Sequence, residues 1–152
     1  MITDKELKLN EERDLLIKEV CARIPYDVKC KFEDKVYDIL GFAHGRVMLC
    51  LPFMSKTITT PIENIELYLL PLSSMTEEQM EELMSNGLFK YRDTIANISH
   101  FENIDGIIEE IYTYVDIESI SYLIDYFYSQ HLDFNGLIDK GIVKDATNLN
   151  IY

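Results

Sequence analysis

The sequence predicts an α+β fold, with an N-terminal helix, a small antiparallel sheet and a helical C-terminal half. Three observations carry this. Apolar residues recur at helical spacing from Leu9 to Ile24; the period shortens to two from Val28 onward; helical spacing returns after Thr76, behind a capping sequence. With 152 residues, 47% apolar and 27% charged, the chain has globular composition and can bury about two-thirds of its unfolded surface without disulfide staples. We expect a single domain over 1–152, comprising a helix over 1–25, a sheet over 26–71, a mainly helical part over 72–145 and a polar, frayed tail over 146–152.

The first helix is predicted over Asp4–Arg23. Leu9, Leu16, Val20 and Ile24 form its stripe, with Ile17 and Cys21 alongside. Thr3 or Asp4 can accept the free amides at its start, and Pro25 ends it by excluding the preceding residue from helical geometry. Val28, Cys30 and Phe32 then alternate with Lys29 and Lys31, a strand with one face in water. Glu33–Lys35 turns the chain into a return strand, Val36–Phe42, and Ala43–Arg46 turns it again, with Gly45 free to take positive φ. Val47–Leu51 reads as a central strand, Lys56–Thr60 as a polar edge strand, Pro61–Ile65 as a helical turn and Glu66–Leu70 as the last strand. Five short strands with tight turns can curl into an SH3-like barrel, which would remove the open edges.

Thr76-Glu77-Glu78-Gln79 is a capping box, with Met75 and Met80 in the staple positions. The helix it opens is expected to stop at Asn86-Gly87. Residues 88–103 have only Ile95, Ile98 and Phe101 as anchors; Asp105–Tyr112 fits a helix, although IYTYV favours a strand. Ile117–Gln130 is a firmer helix, presenting Ile120, Leu123, Ile124, Phe127 and Tyr128 on one face. Asp133 caps a turn over Phe134–Lys140, closed by Gly141.

Charge is unevenly spread. Residues 1–75 carry 12 Asp and Glu against 10 Lys and Arg, whereas residues 76–152 carry 15 against 4, together with seven of the ten tyrosines. Such a surface repels phosphate backbones and anionic lipid and favours basic partners or plain solubility. Direct nucleic-acid binding is therefore disfavoured, with a small local allowance at Lys29, Lys31, Lys35 and Arg46. The N-terminal segment is too charged for a signal peptide, and no uncharged apolar stretch approaches the roughly 20 residues that cross a bilayer. Cys21, Cys30 and Cys50 form no CxxC pair and read as small hydrophobes in a reducing compartment, which gives a cytoplasmic expectation.

No catalytic set stands out. His131 and Asp133 flank Leu132, but two potential ligands fall short of a metal site; His131 suits the end of the preceding helix and Asp133 the following turn. His44 lies in a hairpin turn and His100 in the unanchored stretch. Glu78 and Glu82 share a helix face without a second arm, which reads as a solvated face. No cofactor or metal is expected. Tyr122 and Tyr126, four apart and flanking Asp125, carry two readings, packing inside the molecule or forming an intermolecular surface with His131, Asp133 and Phe134.

Leu70–Glu78, reading LPLSSMTEE, resembles the segment LRPLSSMTEEE of a family of small uncharacterised proteins carried by gut Bacteroidales genomes, their phages and integrated elements. Ile124–Ile138, reading IDYFYSQHLDFNGLI, is similar to the same family's WLNAHHFDYRGLI, with Tyr126 where the family often has Trp and Asn135 in place of its Arg. The resemblance covers about residues 26–85 and 117–145; it implies a mobile-element setting and brings no activity, fold or catalytic residue. The expectation is a non-enzymatic protein-interaction or accessory module that binds a protein partner or a second copy of itself. An acidic nucleic-acid mimic and a small enzyme with an unrecognised site are the alternatives.

Overall fold

In a computed structural model that describes residues 3–88, 100, 103–111 and 117–152, helix α1 spans Asp4–Arg23. Thr3 caps it: the Glu6 amide donates to the Thr3 hydroxyl at 3.3 Å, and the Thr3 amide donates to the Glu6 carboxylate at 2.8 Å. A 3-10 turn over Ile24–Tyr26 contains Pro25 and ends the helix. The face that α1 buries is Leu16, Glu19, Val20 and Arg23; Leu9 and Cys21 are exposed, which corrects the expected stripe. The correction has a physical cause. Arg23 donates from Nε at 3.1 Å and Nη2 at 2.8 Å to Glu19 Oε2, so two charged residues enter the core as a hydrogen-bonded pair.

The sheet follows the period-two reading closely. Strands β1 (Lys29–Phe32), β2 (Lys35–Ala43), β3 (Arg46–Cys50) and β4 (Thr57–Pro61) form an antiparallel meander. A 3-10 turn, Ile62–Asn64, leads into β5 (Ile65–Pro71), which pairs antiparallel with β1. The order is β4-β3-β2-β1-β5, with a bulge between Ile39 and Gly41. The expected barrel does not form. Among the described residues β4 pairs with β3 alone, so the sheet stays open and keeps an edge. Gly45 has φ of 74°, and a Cβ there would stand 2.8 Å from Arg13 Nη2. Any side chain at Gly45 would displace the guanidinium that reaches from α1 to Glu63.

Contacts divide the chain into two compact units. Unit 1 holds Met1–Tyr68, Gly141–Lys144 and Ile151–Tyr152; unit 2 holds Leu69–Lys140 and Asp145–Asn150. The core of unit 1 is drawn from alternate strand positions, including Val28, Cys30, Ile39, Val47, Leu49 and Leu67. Its last residue is tied in as well. The Tyr152 hydroxyl accepts the Lys29 amide at 3.0 Å and donates to the Tyr68 carbonyl at 2.8 Å. The register of β1 on β5 runs Cys30 to Leu67, so Lys29 and Tyr68 are the next opposed pair, and the phenol replaces their direct ladder bond.

In unit 2 the end of β5 pairs in parallel with a two-residue strand, β6 (Leu132–Asp133), which makes the sheet mixed. Helix α2 spans Glu77–Leu83 behind the expected capping box: the Gln79 amide donates to the Thr76 hydroxyl at 3.2 Å, and the Thr76 amide donates to Gln79 Oε1 at 2.8 Å. A π turn over Met84–Leu88 follows in place of the expected left-handed stop. Helix α3 covers Ile104–Ile111, with Asn103 Oδ1 accepting the Asp105 amide at 3.0 Å. Helix α4 covers Ile117–Ser129. Leu72, Met75, Leu83, Ile107, Leu123 and Phe127 lie at the centre of this unit's core. The anchors Ile95, Ile98 and Phe101 and most of the IYTYV segment lie outside the described residues.

The tail expected to fray is held. Strand β7 (Lys144–Asp145) runs beside β5, Ala146 is buried and its amide donates to the Leu69 carbonyl at 2.9 Å.

Candidate functional site

The five residues proposed as a surface from sequence all fall in unit 2, and most of them face inward. Phe134 is buried, with its ring centroid 5.5 Å from Phe127 and 4.9 Å from Tyr128. Asp133 is buried and caps the following turn as expected: its carboxylate accepts the Leu137 amide at 2.9 Å and the Ile138 amide at 2.8 Å. His131 ends α4 in the left-handed conformation, with φ of 57°. Its amide donates to the Tyr128 carbonyl at 3.1 Å and its carbonyl accepts the Leu70 amide at 2.9 Å, so its backbone joins α4 to β5. Tyr126 is buried too. These four side chains are buried, with Asp133 capping a turn and Phe134 packed among rings, so the packing reading fits Tyr126 and Tyr122 is left as the more accessible member of the set.

Tyr122 is different, because it is only half-buried. Its ring lies 6.4 Å from that of Tyr126, tilted by 32°. The Tyr126 hydroxyl lies 3.0 Å from Glu82 Oε2 and 3.3 Å from the Gln79 carbonyl, and bonds across from α4 to α2. Burial raises the Tyr126 ionisation, and the hydrogen bond to Glu82 raises it further. Tyr122 is also raised, by burial first and then by the Glu82 charge. Gln79 is fixed as well, donating from Nε2 to Gln130 Oε1 at 2.9 Å.

The outcome is a small built surface. Exposed Glu77, Glu78, Glu81 and Glu82 crown α2; Glu82 is oriented by a buried phenol, and the Tyr122 ring stands beside that phenol. Sequence reasoning singled out Glu78 and Glu82 on one helix and Tyr122 and Tyr126 on another, each pair four apart. What it lacked was the packing of α2 on α4 that makes one pair the second arm of the other.

The other candidates offer less. Unit 1 has an open groove of about 440 Å³, with Leu9, Leu16, Ile65 and Ile142 along its walls and the Arg13–Glu63 ion pair at its rim. His44 is exposed in its hairpin turn, with φ of 51°, and His100 is exposed. Cys30 is buried, and burial aided by the Asp38 charge pushes its thiol up to about 12, which makes it unreactive at neutral pH. Lys29, from the local basic group, is paired with Asp38. Among the described residues no three His, Cys, Asp or Glu side chains gather as metal ligands, and no helix is long and apolar enough to cross a membrane. Comparison with protein-family models, curated proteins and solved structures returns no match to this chain.

Proposed function

We propose that the chain is a non-enzymatic docking module that binds a basic protein segment through α2 and Tyr122. One observation carries this reading: exposed Glu82 accepts the Tyr126 hydroxyl at 3.0 Å, and the half-exposed Tyr122 ring lies 6.4 Å from the Tyr126 ring. An arginine or lysine placed there pairs with the Glu78 and Glu82 carboxylates and lies over the Tyr122 face, where the ring quadrupole attracts it. The net −11 of residues 76–152 steers such a partner in and makes its capture sensitive to salt. The resemblance of Leu70–Glu78 and Ile124–Ile138 to proteins of phages and integrated elements supports an accessory role in that setting.

The test is titration with a fluorescein-labelled arginine-rich peptide at low and moderate salt. Wild-type protein is expected to bind it, with Glu82→Gln and Tyr122→Ala each weakening binding about tenfold, on the order of 1.4 kcal/mol. Loss of binding across salt with no response to either substitution would reduce the interaction to bulk charge and remove the site. Duplex DNA is included as a control for the mimic alternative, which predicts a different target, a DNA-binding protein that both the chain and the duplex occupy.

A further inference from the structure

The open edge of the sheet in unit 1 stands apart from the acidic surface chemically. Residues 39–62 contain Arg46 and Lys56 and no Asp or Glu, on a chain whose formal net charge is −13. This stretch makes up the end of β2, all of β3 and β4, and the loop between β3 and β4. The loop presents its apolar residues outward. Phe53 is fully exposed, with Met54 exposed beside it. The loop is held in that form by the Met54 amide donating to the Leu51 carbonyl at 3.0 Å and by the Cys50 thiol on the Met54 carbonyl at 2.7 Å. Phe53 has φ of 65°, a left-handed conformation that is costly for a bulky side chain and is tolerated where it serves a purpose.

Which backbone groups of β4 are available follows from the ladder. The Ile62 amide donates to the Gly45 carbonyl at 3.0 Å, so Gly45 and Ile62 form a bonded pair. Bonded and non-bonded pairs alternate in an antiparallel ladder, and the register pairs Arg46 with Pro61, Val47 with Thr60, Met48 with Thr59, Leu49 with Ile58 and Cys50 with Thr57. Thr60 and Ile58 therefore bond to β3, while Thr57, Thr59 and Pro61 turn their backbone groups away from it. Pro61, which has no amide hydrogen, fits at such a position. The Arg46 guanidinium donates to the Thr59 carbonyl at 3.1 Å, capping one of the outward groups.

We infer that two copies of this chain pair through β4, antiparallel about a two-fold axis at Ile58. In that register Thr57 of one copy lies opposite Thr59 of the other, and the two equivalent pairs form about four backbone hydrogen bonds. Arg46 releases the Thr59 carbonyl as the second copy arrives. Ile58, half-buried in one copy, faces its own counterpart on the core side, a β-branched cross-strand pair. The Phe53 loop precedes Thr57, so it lies against the Pro61 end of the second strand. Charge selects this occupant. Two chains of net −13 repel each other, and the stretch without carboxylates is where they approach at least cost. No side chain within β4 is charged, and although Pro61 and Arg46 blunt part of this edge, the Thr57 and Thr59 amides still point outward. This inference uses a surface separate from the α2 site and does not depend on it.

Sedimentation equilibrium of the full chain at 20 and 300 mM NaCl tests it. Wild-type protein is expected to dimerise, more tightly at the higher salt because screening relieves the repulsion. Thr59→Pro removes an outward amide and spares the bonds to β3; Phe53→Glu places a carboxylate on a fully exposed position that carries no folding role. Each is expected to raise the dimer dissociation constant at least tenfold, with circular dichroism confirming the folded state. Should Thr59→Pro fail to fold, Phe53→Glu decides alone. A wild-type monomer at several hundred micromolar in 300 mM NaCl overturns the inference, as does a dimer that survives Phe53→Glu unchanged.

Discussion

Phe127→Ala is expected to lower the unfolding free energy by roughly 3–5 kcal/mol. Phe127 is fully buried on α4, in a cluster with Leu83, Ile104, Ile107 and Leu123, and its ring contacts Phe134 at 5.5 Å. Truncation removes the transfer energy of the ring and leaves a cavity that helices on several sides cannot all close. Phe127→Leu keeps most of the volume and should cost under about 1.5 kcal/mol. Urea unfolding followed by far-ultraviolet circular dichroism gives both values. A loss below 1 kcal/mol for the alanine variant would mean that unit 2 has no cooperative core around α4.

Glu19→Ala is the second large effect, about 3–5 kcal/mol, for a different reason. Glu19 is 2% exposed and Arg23 0%, so removing the carboxylate takes two charge-assisted hydrogen bonds from a guanidinium held in the core. The pair itself contributes little net stability, because desolvation of two ions offsets most of their attraction. Replacing both with apolar residues, Glu19→Leu with Arg23→Met, should therefore restore stability to within about 1 kcal/mol of wild type or exceed it. The description of a compensated ion pair is falsified if the double variant is as unstable as the single one.

Most of unit 1 was legible because each element announces itself locally. Pro25 ended α1, the alternation from Val28 set the strand faces, and Gly45 marked a turn; the succession of β1 to β4 followed. The capping box at Thr76 and the turn cap at Asp133 were equally local, since each is a side chain bonding a backbone a few residues away. What escaped notice depends on distant partners. Glu19 and Arg23 look like a solvated i,i+4 pair until the fold buries them. Leu132 and Asp133 are too short a strand to show any period, so their parallel pairing with β5 leaves no local trace. The openness of the sheet is likewise a matter of how far strands of four to nine residues twist, which composition does not encode. The candidate site divides in the same way. The two i,i+4 pairs were visible, but their meeting, and the inward turn of Tyr126, belong to tertiary packing.

Building one rung of a sheet from a phenol makes that rung answer to alkali in a way that amides do not. Burial raises the Tyr152 ionisation above its ordinary value near 10, an effect that the Lys29 amide and the Arg23 charge oppose only in part. The proton is needed, because the hydroxyl must donate to Tyr68 while accepting from Lys29. The unfolded chain loses this proton first as pH climbs past 10, so from there upward the folded state holds more protons and stability falls with pH. Below pH 10 the contribution is complete. Tyrosinate absorbance of the folded protein should then rise later than that of ten free tyrosines, with Tyr126 sharing the delay, and the seam between β1 and β5 should loosen in the same range.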